Sequence, residues 1–91
     1  MNDREAIFDY IEADSPRAAA MVDDRIEAQV EGLLRTPEMG RMGRIAGTRE
    51  LVVSRTPYIA AYRIESDTVR ILRVLHGAQQ WPDDLGKGQE R

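Results

Sequence analysis

One histidine and a run of arginines are the residues of this chain best equipped for chemistry. His76 stands before Gly77 at the end of an apolar stretch, and histidine is the side chain that exchanges protons near neutral pH. As a general acid or base it would need an arginine beside it and an open position. Bonded to a backbone carbonyl instead, it would be structural. Arg41, Arg44, Arg49, Arg55, Arg63, Arg70 and Arg73 fall in a stretch with no lysine. Guanidinium groups grip phosphate or carboxylate with two bonds and stack on planar groups. Nothing else completes a familiar catalytic set. Ser15 reads as a helix cap, Ser66 as a turn residue, and Ser54 ends a strand with no histidine near it in sequence, so a Ser–His–Asp arrangement has little support. The chain contains no cysteine, which excludes a disulfide framework and a Cys-ligated metal. No glycine loop of the phosphate-cradling kind is present, and neither metal nor cofactor is implied. Trp81 could stack on a base or a partner, or pack over the end of the core.

The charge that surrounds these residues is uneven. Residues 1–40 carry ten acids and four arginines, a balance of −6, whereas residues 41–76 carry seven arginines and three acids, a balance of +4. The last fifteen residues stand at −1, which brings the whole to −3. An acidic half followed by a basic half suggests two faces with different partners. A pI near 5.1 argues against sequence-specific DNA binding. At 91 residues and 10.3 kDa the chain has room for one domain. It has no apolar run long enough to span a membrane and no signal-peptide pattern at its start, which suits a cytoplasmic protein.

The elements that must position the arginines follow from periodicity. Residues 3–13 read as a short amphipathic helix with Ile7, Tyr10 and Ile11 on one stripe. Ser15 and Pro16 then open a second helix, expected to run to about Arg35, with Ala19, Val22, Ile26, Val30, Leu33 and Leu34 facing inward. Thr36-Pro37 closes it. A glycine-punctuated loop follows, and then three strands near residues 49–53, 58–64 and 68–76, the last two joined at Ser66-Asp67. In the third strand, strict alternation sets Val69, Ile71, Arg73 and Leu75 on one face and Arg70, Leu72, Val74 and His76 on the other. The fold expected is α+β: an N-terminal helix hairpin packed on one face of a small antiparallel sheet of three strands. Residues 1–82 form the domain, and residues 83–91 a polar tail expected to be flexible.

Several segments in order resemble the RelE/ParE superfamily of bacterial toxins. They are Ile7-Phe8-Asp9-Tyr10-Ile11, Asp14-Ser15-Pro16-Arg17-Ala18-Ala19, Pro37-Glu38-Met39-Gly40-Arg41, Gly47-Thr48-Arg49-Glu50-Leu51, Pro57 to Arg63, and Val69 to Pro82. The resemblance covers about residues 5–82 and implies the same α+β layer. It also implies a cytoplasmic toxin of a type II toxin–antitoxin module, of the kind also called plasmid stabilisation proteins, neutralised by a cognate antitoxin. RelE-like members cleave messenger RNA on the ribosome with side chains of the concave sheet face, whereas ParE-like members inhibit DNA gyrase. Where RNA-cleaving members often carry an arginine in the middle strand, this chain has Ile59. The sheet lacks their lysine cluster, since the one lysine is Lys87. His76 does fall where some of them keep a catalytic histidine.

The expectation is therefore a ParE-like toxin acting on gyrase. The alternatives are a ribosome-dependent endoribonuclease, with Arg63, Arg73 and His76 as its catalytic candidates, or a degenerate toxin that retains only antitoxin binding. Arg49, Arg55, Arg63, Arg70, Arg73 and Trp81 are the candidates for contact with antitoxin or target, and the arginines call for an acidic partner. Only Met1-Asn2 precede the first helix, so the family's first strand is expected to be missing or shortened. A sheet edge would then be exposed, and the chain alone would be poorly soluble.

Overall fold

The computed structural model describes residues 3–79 and Trp81. Helix α1 (Asp3–Glu12) and helix α2 (Pro16–Glu31) form the hairpin. Ser15 caps α2 with extended backbone, its Oγ accepting from the Ala18 N–H at 3.1 Å, and Pro16 occupies the first helical position. The second helix stops earlier than its sequence suggests. After Glu31 the chain tightens into a 3-10 turn over Gly32–Leu34. At three residues per turn, Leu33 stays in the core while Leu34 swings out to 79% exposure, against the expectation that both face inward. Tyr10 also leaves the predicted stripe, at 78% exposure; α1 meets the core along the narrower line of Ile7 and Ile11.

The sheet has four strands where three were expected: β1 (Arg41–Met42), β2 (Arg49–Val52), β3 (Tyr58–Glu65) and β4 (Thr68–His76). They form an antiparallel meander in the order β1-β2-β3-β4. The additional strand lies in the glycine-punctuated stretch that reads as a loop, because two residues leave no periodicity to detect. A buried hydroxyl puts it there. Tyr62 is fully buried in β3. Its hydroxyl donates to the Pro37 carbonyl at 2.6 Å and accepts from the Gly40 N–H at 2.9 Å. That fastens the chain after α2 against the sheet, in register for Arg41 to face Glu50. Gly40 is required by this approach, since a Cβ there would lie 2.6 Å from the hydroxyl.

The sheet buries two sides. Toward the helices, Ile26 and Leu33 pack on Leu51, Val53, Tyr58, Ala60, Tyr62 and Val74, with Ile7, Ile11, Val22 and Val30 half-buried around them. On the opposite face, Ile59, Ala61, Leu72, Leu75 and Trp81 form a smaller cluster. The predicted alternation in β4 fails midway. Ala61 pairs with Arg73 and Tyr62 with Ile71, which leaves Leu72 as an extra residue in a bulge. A bulge shifts the side-chain phase by one. Val69 and Ile71 therefore share the helix face with Val74, and Leu72 shares the other with Leu75. The tail expected at residues 83–91 and the Met1-Asn2 start lie outside the described residues.

Two variants test this packing. Ile26→Asp puts an unpaired charge in a site with no solvent access and is expected to abolish the cooperative thermal transition; a melt with an unchanged midpoint would show that α2 turns another face inward. Tyr62→Phe leaves the Gly40 N–H and Pro37 C=O without their partner. Its expected cost is about 1–3 kcal/mol, read as a lowered urea midpoint.

Candidate functional site

The face away from the helices is organised around one carboxylate. Glu50 lies in β2 beside Arg41 of β1 and Ala61 of β3, and only 3% of it is exposed. Its Oε1 accepts from Arg41 Nη2 at 3.0 Å, and its Oε2 from the Arg44 backbone N–H at 2.8 Å and Arg44 Nε at 3.1 Å. Burial opposes ionisation of this carboxyl, but the Arg44 N–H and the two guanidinium groups outweigh it, and its pKa is held below the usual glutamate value. The loop between β1 and β2 is closed by Thr48, whose hydroxyl donates to the Ile45 carbonyl at 2.6 Å. Arg44, positioned by Glu50, lies over the Trp81 ring at 3.7 Å from its centroid. Trp81 in turn covers Ile59, Ala61, Leu72 and Leu75, and its Nε1 donates to the His76 carbonyl at 3.4 Å.

The sequence candidates do not assemble into one site. Arg63 and Arg70 face each other across β3 and β4, and both reach Glu65, at 3.1 and 2.9 Å. Their attraction holds the Glu65 carboxyl below its ordinary pKa, the Arg70 hydrogen bond contributing most. Arg73 binds Asp3 at the start of α1 through Nε at 2.7 Å and Nη2 at 3.0 Å. Arg49 donates to the carbonyls of Glu38 and Gly40, on the side of β1 and the 3-10 turn. Arg55 sits at the β2–β3 turn with φ at 63°, and its carbonyl accepts from Arg25. Trp81 is buried rather than presented. For Arg63, Arg70 and Arg73 the counter-charges that the sequence seemed to require from a partner are present in the chain itself, as Glu65 and Asp3.

Two of the nuclease candidates do share a cleft. Arg73 and His76 line a cavity of about 380 Å³ with Tyr10, Tyr58 and Gln79. The His76 ring meets Tyr58 edge-on at 5.6 Å between centroids, and its Nδ1 accepts from the Ala78 N–H at 3.0 Å. Arg63 is not part of this cleft. It pairs with Arg70, six residues before His76 in β4, which at ~3.3 Å per residue is about 20 Å away. Sequence reasoning missed Glu50, Arg41 and Arg44. The available signal was an acid inside an otherwise apolar strand, Glu50-Leu51-Val52-Val53, just after a stretch with Arg41 and Arg44. Among the described residues, no group of three His, Cys, Asp or Glu could hold a metal ion, and no helix is long and apolar enough to cross a membrane.

The order of these elements and the segments that form them match residues 1–81 to the family model described as the ParE toxin of the type II toxin–antitoxin system parDE. The chain belongs to the ParE toxin family. It is a toxin of a type II toxin–antitoxin system, and the family implies an antitoxin as its partner. It is 54% identical to "Putative toxin Y4kP" of Sinorhizobium fredii over 76 residues, 84% of this chain and 78% of that protein. It is 39% identical to toxin RelE2 of Caulobacter vibrioides over 77 residues, 85% of each chain. A solved structure titled "Chromosomal ParDE TA system from P. aeruginosa" superposes with a TM-score of 0.71 at 30% identity, covering 81% of this chain and 83% of that one.

The buried carboxylate of this ParE-family toxin gives a pH prediction. A carboxyl whose folded pKa is depressed contributes stability above its unfolded pKa and loses it as pH falls through the folded value. Glu50 is therefore expected to make the toxin less stable in acid, with the loss beginning near pH ~4.5 and continuing below it. Glu50→Gln should flatten that dependence and cost about 1–3 kcal/mol at neutral pH, the range for lost charge-assisted hydrogen bonds, since Arg41 and Arg44 remain exposed to water. Equal acid slopes in urea titrations of the two proteins would remove Glu50 from this role.

Proposed function

We propose that this toxin arrests growth through DNA gyrase and not by cutting messenger RNA. The state of His76 carries this reading. Its Nδ1 lone pair is committed to the Ala78 N–H, which assigns the proton of the neutral ring to Nε2. A general base needs a free lone pair within reach of the proton it removes, and this ring offers none without breaking that bond. The arginine beside it, Arg73, is already held by Asp3 through two bonds, and Arg63 stands at the far end of the sheet. Ile59 packs in the smaller core cluster, where RNA-cleaving relatives of the superfamily often place an arginine. The family model of residues 1–81 is that of ParE.

One observation favours the ribonuclease as a second reading. Arg73 and His76 line a common cleft with two tyrosines, and two relatives bear the names toxin RelE2 and toxin RelE1. The two readings separate in living cells. Under the gyrase reading, induced expression should trigger the DNA-damage response while pulse-labelled protein synthesis continues at early times, and His76→Ala should remain toxic. An immediate stop in synthesis with codon-specific mRNA cuts, abolished by His76→Ala, would establish the nuclease. Expression without any arrest would mark a toxin that only binds its antitoxin.

A further inference from the structure

The turn between β2 and β3 holds an arginine in a conformation that suits glycine. It runs from Val53 to Thr56 and is closed by the Thr56 N–H, which donates to the Val53 carbonyl at 3.2 Å. Arg55 is its third residue, with φ at 63°. A turn with positive φ at that position favours glycine or asparagine, and a bulky side chain there is strained. Such strain persists only where the surroundings impose it. Here α2 and Thr56 impose it. Gln29 brackets Ser54, its Oε1 accepting from the Ser54 N–H at 2.9 Å and its Nε2 donating to the Ser54 carbonyl at 3.5 Å. One helical turn earlier, Arg25 Nη1 donates to the Arg55 carbonyl at 3.2 Å. The Thr56 hydroxyl donates to the Val53 carbonyl at 2.9 Å and accepts from the Tyr58 N–H at 3.1 Å.

This clasp brings two cations together and supplies no anion. Arg55 is exposed and Arg25 half-buried. No carboxylate among the described residues pairs with either, whereas Arg4, Arg41, Arg44, Arg63, Arg70 and Arg73 each reach one. Arg25 spends Nη1 on the Arg55 carbonyl, and the other donors of its fork remain for an external acceptor. We propose that Arg25 and Arg55 grip a pair of carboxylates on the surface of the toxin's protein target, an inference that rests on the reading that this target is gyrase. Glycine at position 55 would relax the backbone but give up the guanidinium, so the strained turn keeps the one part that a partner can use. Guanidinium and carboxylate meet through two parallel bonds, and forks already fixed to the backbone lose little freedom on binding. Discrete carboxylates fit better than a phosphate backbone. Asp23, Asp24, Glu27 and Glu31 flank Arg25 along α2, and they repel a polyanion whose charge continues past the turn.

The test compares purified toxin variants in gyrase supercoiling, in affinity for the cognate antitoxin and in urea unfolding. Arg55→Gly removes the guanidinium and relieves the turn, so its urea midpoint should be equal to the original or higher. The toxin concentration for half-inhibition should nonetheless rise roughly tenfold or more, as for the loss of an anchoring arginine. Arg25→Ala should raise it likewise. Arg17→Ala, which removes the same charge about 12 Å along α2 at ~1.5 Å per residue, should leave it unchanged. Antitoxin affinity should be the same for all four proteins, and labelled duplex DNA and RNA should bind none of them. The proposal is overturned by full inhibition from Arg55→Gly, by a lowered midpoint in that variant, by an equal loss in Arg17→Ala, by a matching loss of antitoxin affinity, or by nucleic-acid binding that Arg55→Gly abolishes. If the unaltered toxin leaves gyrase active, the gyrase reading fails by itself, and growth arrest on induced expression decides the turn's role. Arrest that survives Arg55→Gly overturns the proposal, as does no arrest by the unaltered toxin; arrest lost with antitoxin affinity intact keeps the turn as the contact with another protein target.

Discussion

The hydroxyl of Tyr62 is the point on which the sheet side of this protein turns. A phenol buried without access to water must have both its hydrogen-bonding roles filled. Tyr62 fills them with two backbone groups three residues apart, the Pro37 carbonyl and the Gly40 N–H. The chain leaving the helix hairpin is thereby held flat against β2, and Arg41 arrives opposite Glu50. Arg41 and Arg44 can then satisfy a carboxylate that burial alone would make costly. Arg44 is left in position over Trp81, which closes the second face of the sheet. One contact thus determines whether β1 exists, and β1 determines whether the far face has a charged centre.

How much of this was legible depended on the range of the interaction. The helix hairpin could be read because its signals are local. Ser15 and Pro16 mark the start of α2, and the apolar residues repeat at three and four. The long strands could be read for the same reason. The features that could not be read are short or non-local. β1 has two residues and no period. The bulge at Leu72 leaves the adjacent apolar pair Ile71-Leu72, which a strand buried on both faces also shows, and only pairing with β3 reveals the slip. Leu34 looks like Leu33 until the helix tightens. The arginines illustrate the limit most plainly. Their types and spacing were visible, but their partners are Asp3, Glu50 and Glu65, and Asp3 stands 70 positions from Arg73.

The charge asymmetry has a structural reading as well. The acidic first half supplies Asp3 to Arg73 of β4 and Asp23 to Arg4 within the hairpin. The basic half contains its own glutamates on the opposite face of the sheet. Surface pairs such as Arg70–Glu65 add little stability, typically about 0–1 kcal/mol, but they consume charge that would otherwise attract partners at random.

The carboxylate of Asp3 has a further consequence for the order in which the molecule can be built. It joins residue 3 to a backbone group 71 positions later, and β4 also delivers Val69, Ile71 and Val74 to the face against which the hairpin packs. Protein synthesis proceeds from the amino end, so the hairpin is finished while the strand that buries its apolar side has yet to be made. The toxin therefore has no folded intermediate that lacks its last strand and still covers its core. A chain interrupted before β4 leaves the apolar side of the hairpin without the strand that covers it, and poisoning has to wait until β4 has been made.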